Sequence, residues 1–94
     1  MEQCGDPSTQ GNGSWDKDGH CTADPIHSLC VKSLPGSFAA ETGQGNWSEA
    51  RKNLPHCVCP KKWDAYVNSV GKLEVNCKAS NQNNPDVKRI CSNG

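Results

Sequence analysis

The chain has 94 residues, seven of them cysteine, and its ten basic and ten acidic side chains leave no net charge. Val, Ile, Leu and Phe together number only 13, which is too few for an ordinary packed core. The balanced charge excludes a basic surface for nucleic acid, and the lack of a long apolar run excludes direct membrane insertion. We therefore expect one small, soluble, cysteine-rich domain over residues 1–94, held together largely by its sulfur atoms.

Residues 1–25 have the composition of a loop region. They are rich in Gly, Asp, Pro and Ser, and Trp15 is their only Phe, Trp or Tyr. Such a segment cannot order itself by burying apolar surface. We expect a disulfide between Cys4 and Cys21 to close this loop.

The pattern of residues 26–45 predicts the first of three strand–helix units. Residues 26–31 alternate in the manner of a short strand. Ser33 and Pro35 then suit the N-cap and the first turn of a helix over residues 34–41, and two glycines shortly afterwards end it.

An irregular connector, residues 42–56, leads to the second unit, residues 57–71. Its strand is Cys57-Val58-Cys59 and its helix starts at Pro60. Apolar side chains recur at the i, i+3, i+4 and i+7 positions of this helix, which is typical of a helix with one buried face: Trp63, Tyr66, Val67 and Val70.

The third unit, residues 73–91, begins with a period-two strand over residues 73–77. A polar, Asn-rich turn and a helix from Pro85 to Cys91 follow. The chain is therefore predicted to be α+β, with three short strand–helix units behind a disulfide-tied N-terminal loop.

The first of three interpretations of the cysteines is a disulfide framework, in which an odd number leaves at least one thiol over. We expect Cys77 to pair with Cys91, because the polar turn between them lets the last helix pack back on its strand. Cys30 is expected to pair with Cys57 or Cys59, and the other member of that Cys-x-Cys motif is then the free thiol.

The second interpretation is a zinc site whose ligands would be His27, Cys30, Cys57 and Cys59. One residue separates Cys57 from Cys59, whereas structural zinc sites typically use C-x-x-C. The third interpretation is redox or nucleophilic catalysis. No thioredoxin-like C-x-x-C is present, and in a strand His27 and Cys30 would point to opposite faces. We therefore assign no catalytic residue.

Trp15 and Trp47 allow two interpretations. In a chain so poor in aliphatic residues, large aromatic side chains are expected to fill the core. An exposed pair of them would instead mark a surface for a protein partner.

The order of these motifs resembles the domain-of-unknown-function family 2237, a family of small, mostly bacterial proteins. The likeness covers nearly the whole chain and rests on five segments: Cys4-Gly5-Asp6-Pro7-Ser8-Thr9, Asp18-Gly19-His20-Cys21, His27-Ser28-Leu29-Cys30, Cys57-Val58-Cys59 with Trp63, and Leu73 to Ser80. The chain departs from the family at His56, where members carry an aromatic residue, and at Cys77 and Cys91, where they carry no cysteine. The resemblance implies a fold of mixed helix and strand and no established activity.

From these observations we predict a non-enzymatic, disulfide-stabilised structural or interaction module without a cofactor. A protein partner is expected, with a peripheral place in a larger assembly, and nucleic acid is not. The alternative is a thiol-dependent zinc-binding or redox protein that uses His27, Cys30, Cys57 and Cys59. Paired cysteines predict an oxidising compartment (secreted, periplasmic or an organelle lumen), and reduced cysteines predict the cytoplasm.

Overall fold

The computed structural model describes residues 1–9 and 13–92 and shows an α+β fold of 30 × 30 × 19 Å. The described part has two strands, Leu29–Val31 (β1) and His56–Val58 (β2), and three α-helices, Phe38–Glu41 (α1), Pro60–Ser69 (α2) and Pro85–Ser92 (α3). Short 3₁₀ helices lie at Pro7–Thr9, Trp47–Arg51 and Cys77–Ala79. None of the helices in the described ranges is long and apolar enough to cross a membrane.

The two strands form an antiparallel sheet that separates two different interiors. Three pairs of residues face each other across it: Leu29 and Val58, Cys30 and Cys57, and Val31 and His56. Successive side chains of a strand point to opposite faces, so Cys30 and Cys57 share one face and the other four residues share the opposite one. All six residues are buried.

The apolar face of the sheet packs against the helices. The buried core there consists of Leu29, Val31, Leu34, Phe38, Val58, Tyr66, Leu73, Val87 and Ile90. The Phe38 ring lies 5.6 Å from the Tyr66 ring of α2. The predicted apolar face of α2 is confirmed at Tyr66, and Trp63 and Val67 pack against the core as well. Val70 stays exposed, because the helix ends at Ser69.

The cysteine face of the sheet is covered by the N-terminal loop. Disulfides join Cys4 to Cys30 and Cys21 to Cys57, and these four cysteines form a second buried cluster with Trp15 and Ala79. The predicted pairing of Cys4 with Cys21 is therefore wrong, as is that of Cys30 with Cys57 or Cys59. The loop lies flat on this face, so each loop cysteine meets a strand cysteine. We call these four cysteines the sulfur cluster.

The other three cysteines follow the prediction. Cys77 is bonded to Cys91, which ties α3 to the segment before it. Cys59 is the free cysteine.

Trp15 is buried and does not form an exposed partner surface, contrary to that alternative. Only 4% of its surface is exposed, and its indole N–H donates a hydrogen bond of 2.9 Å to the carbonyl oxygen of Asp6. The loop folds around the ring so closely that a Cβ atom on Gly5 or Gly13 would overlap it. Trp15 therefore fills the space between the loop and the sulfur cluster.

The predicted third strand is reduced to one bridge, between Val31 and Val75. The amide of Asn76 donates to the carbonyl oxygen of Cys30 at 2.8 Å. The chain then turns into the 3₁₀ helix Cys77–Ala79, which ends the pairing after this contact.

Two other predicted elements are shorter than expected. β1 starts at Leu29 because the Asp24 carboxylate accepts the backbone N–H groups of Ile26 and His27, which holds that stretch in a turn. α1 starts at Phe38, whose N–H bonds to the carbonyl oxygen of Pro35 in a preceding turn.

Candidate functional site

A cavity of about 150 Å³ lies over the apolar face of the sheet, at the edge of the core. It is lined by Ser14, His27, Phe38, Gln44, Trp47, Arg51, His56, Val58 and Cys59. These residues come from the N-terminal loop, the turn before β1, helix α1, the connector, β2 and the residue that joins β2 to α2. The cavity thus forms where segments distant in the sequence meet.

In the wall of the cavity, Trp47 contacts three other side chains. The centroid of the Trp47 ring lies 4.8 Å from that of the buried His56 ring and 6.1 Å from that of Phe38, in a T-shaped arrangement. The Arg51 guanidinium lies 5.9 Å from the Trp47 ring centroid, within the range of a cation–π contact. His56 belongs to β2. Trp47 and Arg51 are the first and last residues of one 3₁₀ helix, which positions both side chains.

Ser14 approaches His56 from the N-terminal loop. Its Oγ lies 3.4 Å from His56 Nε2, at the long end of the range for a hydrogen bond. Ser14 has a φ of 61°, which is uncommon for a residue other than glycine. The loop therefore turns sharply at the point where it reaches the cavity.

His27 is held at the cavity by Asp24. The two side chains meet at 2.9 Å between Nδ1 and Oδ2. Partial burial raises the pKa of the Asp24 carboxyl, but hydrogen bonds from the His27 amide, the His27 ring and the Ile26 amide outweigh it. The net effect is a pKa below its ordinary value.

The four predicted zinc ligands divide between the two faces of the sheet. His27 and Cys59 line the cavity, whereas Cys30 and Cys57 lie in the sulfur cluster and are bonded to loop cysteines. The reason is that β2 ends at Val58 and Pro60 begins α2, so Cys59 does not continue the alternation that would place it beside Cys57. These four residues therefore do not form one ligand set.

Four polar residues of the cavity lining were not among the predicted site residues: Ser14, Gln44, Arg51 and His56. The alternation in β2 was the available signal for His56, since it puts His56 on the same face as Val58. Nothing in the local sequence indicates that Ser14 and Arg51 line the same cavity as His56. Of the predicted tryptophan pair, Trp47 lies at the cavity and Trp15 does not.

The sulfur cluster is a second group of side chains of metal-ligand type. The Sγ atoms of Cys4, Cys21 and Cys57 all lie within 4.8 Å of one another, and Cys30 is bonded to Cys4. All four cysteines are buried. Two disulfides therefore lie in contact range in one enclosed space.

Asp16, Asp18 and His20 also bring their ligand-type atoms within 4.8 Å of one another. The Asp16 carboxylate already accepts the backbone N–H groups of Asp18 and His20, at 2.8 and 2.9 Å, and the Thr22 hydroxyl. The Thr22 hydroxyl and the His20 amide hold the pKa of Asp16 below its ordinary value. We interpret the group as a turn stabilised by its aspartate.

Comparison with known proteins adds no relative. No protein-family model, curated protein or solved structure matches this chain. The resemblance to the domain-of-unknown-function family 2237 stays a prediction, and the chain is a disulfide-stabilised α+β module with a polar cavity over the apolar face of its sheet.

Proposed function

We propose that the protein is a non-enzymatic interaction module that holds an acidic side chain of a protein partner in the cavity. The observation that carries the proposal is the chemistry of the cavity lining. It contains a guanidinium, two imidazoles, an amide and a hydroxyl, and none of the described residues that line it carries a carboxylate.

Arg51 is the principal anion-binding group in this proposal. Its guanidinium presents several N–H donors in a plane and can bind a carboxylate through two parallel hydrogen bonds. The Trp47 ring beneath it limits the conformations of the side chain. Less conformational entropy is then lost when the partner binds.

The size of the cavity supports a single side chain as the ligand. A volume of about 150 Å³ is below the range of about 300–1,000 Å³ that is usual for small-molecule sites. The apolar floor, Phe38 and Val58, suits the methylene groups of such a side chain. The polar wall suits its carboxylate.

A titration followed by NMR tests this proposal, with N-acetylglutamate α-methylamide as the probe, whose only charge is the side-chain carboxylate, and N-acetylglutamine α-methylamide as its neutral match. We expect the acid to shift the indole resonance of Trp47 and the neutral match to leave it in place. Arg51→Gln should weaken binding of the acid about tenfold, since a charged hydrogen bond contributes about 1.5 kcal/mol or more. Lys52→Gln, an exposed neighbour outside the cavity, is the control and should leave binding unchanged. Equal shifts with both probes would contradict the proposal.

The partner itself is proposed to be a larger assembly, in which this small chain is peripheral. The three disulfides of this chain support an oxidising compartment as the place where the assembly forms. Sedimentation of the protein from its native source should find it in a complex larger than the 10.1 kDa chain. A monomeric species at native concentration would contradict this part of the proposal.

A second candidate function is thiol chemistry at the same cavity, because His27 and the free Cys59 both line it. In this alternative His27 accepts the thiol proton and leaves a nucleophilic thiolate. Alkylation of Cys59 at neutral pH should then be markedly slower in His27→Gln than in the unchanged protein. Equal rates would exclude it.

A further inference from the structure

We propose that Cys4, Cys21, Cys30 and Cys57 form a tetrahedral zinc site when their two disulfides are reduced. The inference concerns the sulfur cluster, on the face of the sheet opposite the cavity. It does not depend on the function proposed above. It replaces the ligand set predicted from the sequence, because His27 and Cys59 line the cavity on the other face of the sheet.

The distances carry the inference. Four thiolates around Zn²⁺ at bonds of about 2.3 Å lie about 3.8 Å apart, the edge of the tetrahedron. The Sγ atoms of Cys4, Cys21 and Cys57 already lie within 4.8 Å of one another. The fourth sulfur, that of Cys30, is bonded to Cys4. On reduction, the sulfur atoms of each bonded pair would move apart from the length of a disulfide bond, about 2 Å, to about 3.8 Å. The Cys30 sulfur, which is not in the group of three, would also turn toward Cys21 and Cys57. In this proposal, rotation about the Cα–Cβ bonds supplies these movements.

The backbone holds the four cysteines together without their bonds. Cys30 and Cys57 are directly opposite each other in the sheet. The amide of Cys4 donates to the carbonyl oxygen of Gly19 at 2.7 Å, which keeps Cys4 beside the turn that carries Cys21. Neither contact involves a sulfur atom, so reduction of the disulfides does not remove them directly.

The surroundings of the sulfur cluster suit a structural metal site and not a catalytic one, which keeps an open coordination position. The exposed fraction is at most 7% for Cys4 and 1% or less for Cys21, Cys30 and Cys57. Trp15 and Ala79 complete the enclosure. Four protein ligands in a closed space leave no position for substrate, which is the arrangement of structural zinc sites.

The exchange between the disulfide-bonded state and the zinc-bound state balances in electrons and protons. A dithiol reductant breaks each sulfur–sulfur bond with two electrons and two protons, so two dithiols are oxidised to disulfides. Zn²⁺ then binds the four thiolates, and the four thiol protons pass to solvent. In the reverse direction, two low-molecular-weight disulfides take up four electrons and four protons, become thiols, and release the zinc.

The consequence is a fold that is tied at the same four sulfurs in either redox environment. In an oxidising compartment, two disulfides join the N-terminal loop to β1 and β2. In a reducing compartment, one zinc ion joins the same segments. The thin apolar core is supported in both.

The test uses the full chain, reduced with a phosphine and loaded with Zn²⁺ or Co²⁺ without oxygen. Reduction also opens Cys77–Cys91 and exposes Cys59, so two control variants separate these thiols from the site: Cys59→Ser, and Cys77→Ser with Cys91→Ser. We expect one tightly held zinc per chain in the unchanged protein and in both controls. Cys57→Ser should weaken zinc binding at least 100-fold.

X-ray absorption at the zinc edge keeps the test valid even where a variant does not fold. In the unchanged protein it should find four sulfur neighbours, and the Co²⁺ form should show the visible bands of tetrahedral cobalt. Less than half an equivalent of bound zinc would overturn the proposal. A nitrogen or oxygen neighbour in the shell, or loss of zinc in Cys59→Ser, would overturn it as well.

Discussion

Cys30 and Cys57 lie directly opposite each other in the two-stranded sheet, and yet each is bonded to a cysteine of the N-terminal loop and not to the other. Opposed residues in an antiparallel pair have Cα atoms about 4.5–5.5 Å apart, which a disulfide can span. The observed bonds instead join Cys4 to Cys30, which are 26 positions apart in the chain, and Cys21 to Cys57, which are 36 positions apart. They therefore attach the loop to both strands.

Peptide mapping of the oxidised protein should find Cys4 with Cys30 and Cys21 with Cys57. Trypsin alone cannot decide this, because no Lys or Arg separates Cys21 from Cys30. A second protease that cuts before Asp24 places them on different peptides. Digestion at acidic pH suppresses exchange between the two bonds, since thiolate is the attacking species. A peptide linking Cys4 to Cys21 would contradict the structure.

The bond between Cys77 and Cys91 should stabilise the fold by about 3 kcal/mol, the value for a closed loop of about 15 residues. Cys77→Ser and Cys91→Ser should each lower the free energy of unfolding in urea by this amount. The double variant should lose no more than either single one, because one interaction is removed in every case. Cys59→Ser, which breaks no bond, is the control and should cost less than about 1 kcal/mol. Additive losses would argue against the bond.

Local elements could be predicted from the sequence and contacts between distant segments could not. The apolar positions of Trp63, Tyr66 and Val67 recur within one helix, so a short window contains the signal for α2. Cys77 and Cys91 lie 14 positions apart with only a turn and a helix between them. The partners of Cys4 and Cys21 depend instead on which face of the sheet the loop covers. No short window of the sequence contains that information.

The candidate site shows the same division. His27 and Cys59 were singled out as candidate zinc ligands because His and Cys residues lie near each other in those parts of the sequence, and both line the cavity. Ser14 meets His56 across 42 positions of the chain, and Arg51 reaches the cavity through the stack on Trp47. These contacts arise only after the loop and the connector have folded over the sheet.

Gly5→Ala should destabilise the protein by about 1–3 kcal/mol, the usual cost of overpacking. A Cβ atom at this position would overlap the six-membered ring of Trp15, which is buried and held by its bond to Asp6. Gly36→Ala is the matched control: its Cβ would meet its nearest neighbour, the Cβ of Lys52, at 3.5 Å. Thermal unfolding monitored by circular dichroism compares the two variants. If the midpoint of thermal unfolding is the same for Gly5→Ala, Gly36→Ala and the unchanged protein, the loop does not enclose Trp15 as described.

Asp24 should make the stability of the protein depend on pH in the acidic range. Its pKa is lower in the folded state than the ordinary value of about 3.9, so its contribution is present above that value. The contribution is lost as the pH falls through the folded-state pKa. The side chains of Asp24 and His27 are 42% and 40% exposed, which limits the contribution to less than about 1 kcal/mol.

Asp24→Asn should therefore unfold at a slightly lower urea concentration than the unchanged protein at pH 7, and the difference should shrink as the pH approaches 2. His27→Gln is the informative comparison, because it keeps the hydrogen bonds that the amides of Ile26 and residue 27 donate to the carboxylate. It should retain much of the acid dependence and lose only the part that comes from the imidazole. Urea titrations at about pH 2, 4 and 7 measure all three proteins. A constant difference between Asp24→Asn and the unchanged protein at every pH would mean that the carboxylate charge contributes nothing to the fold.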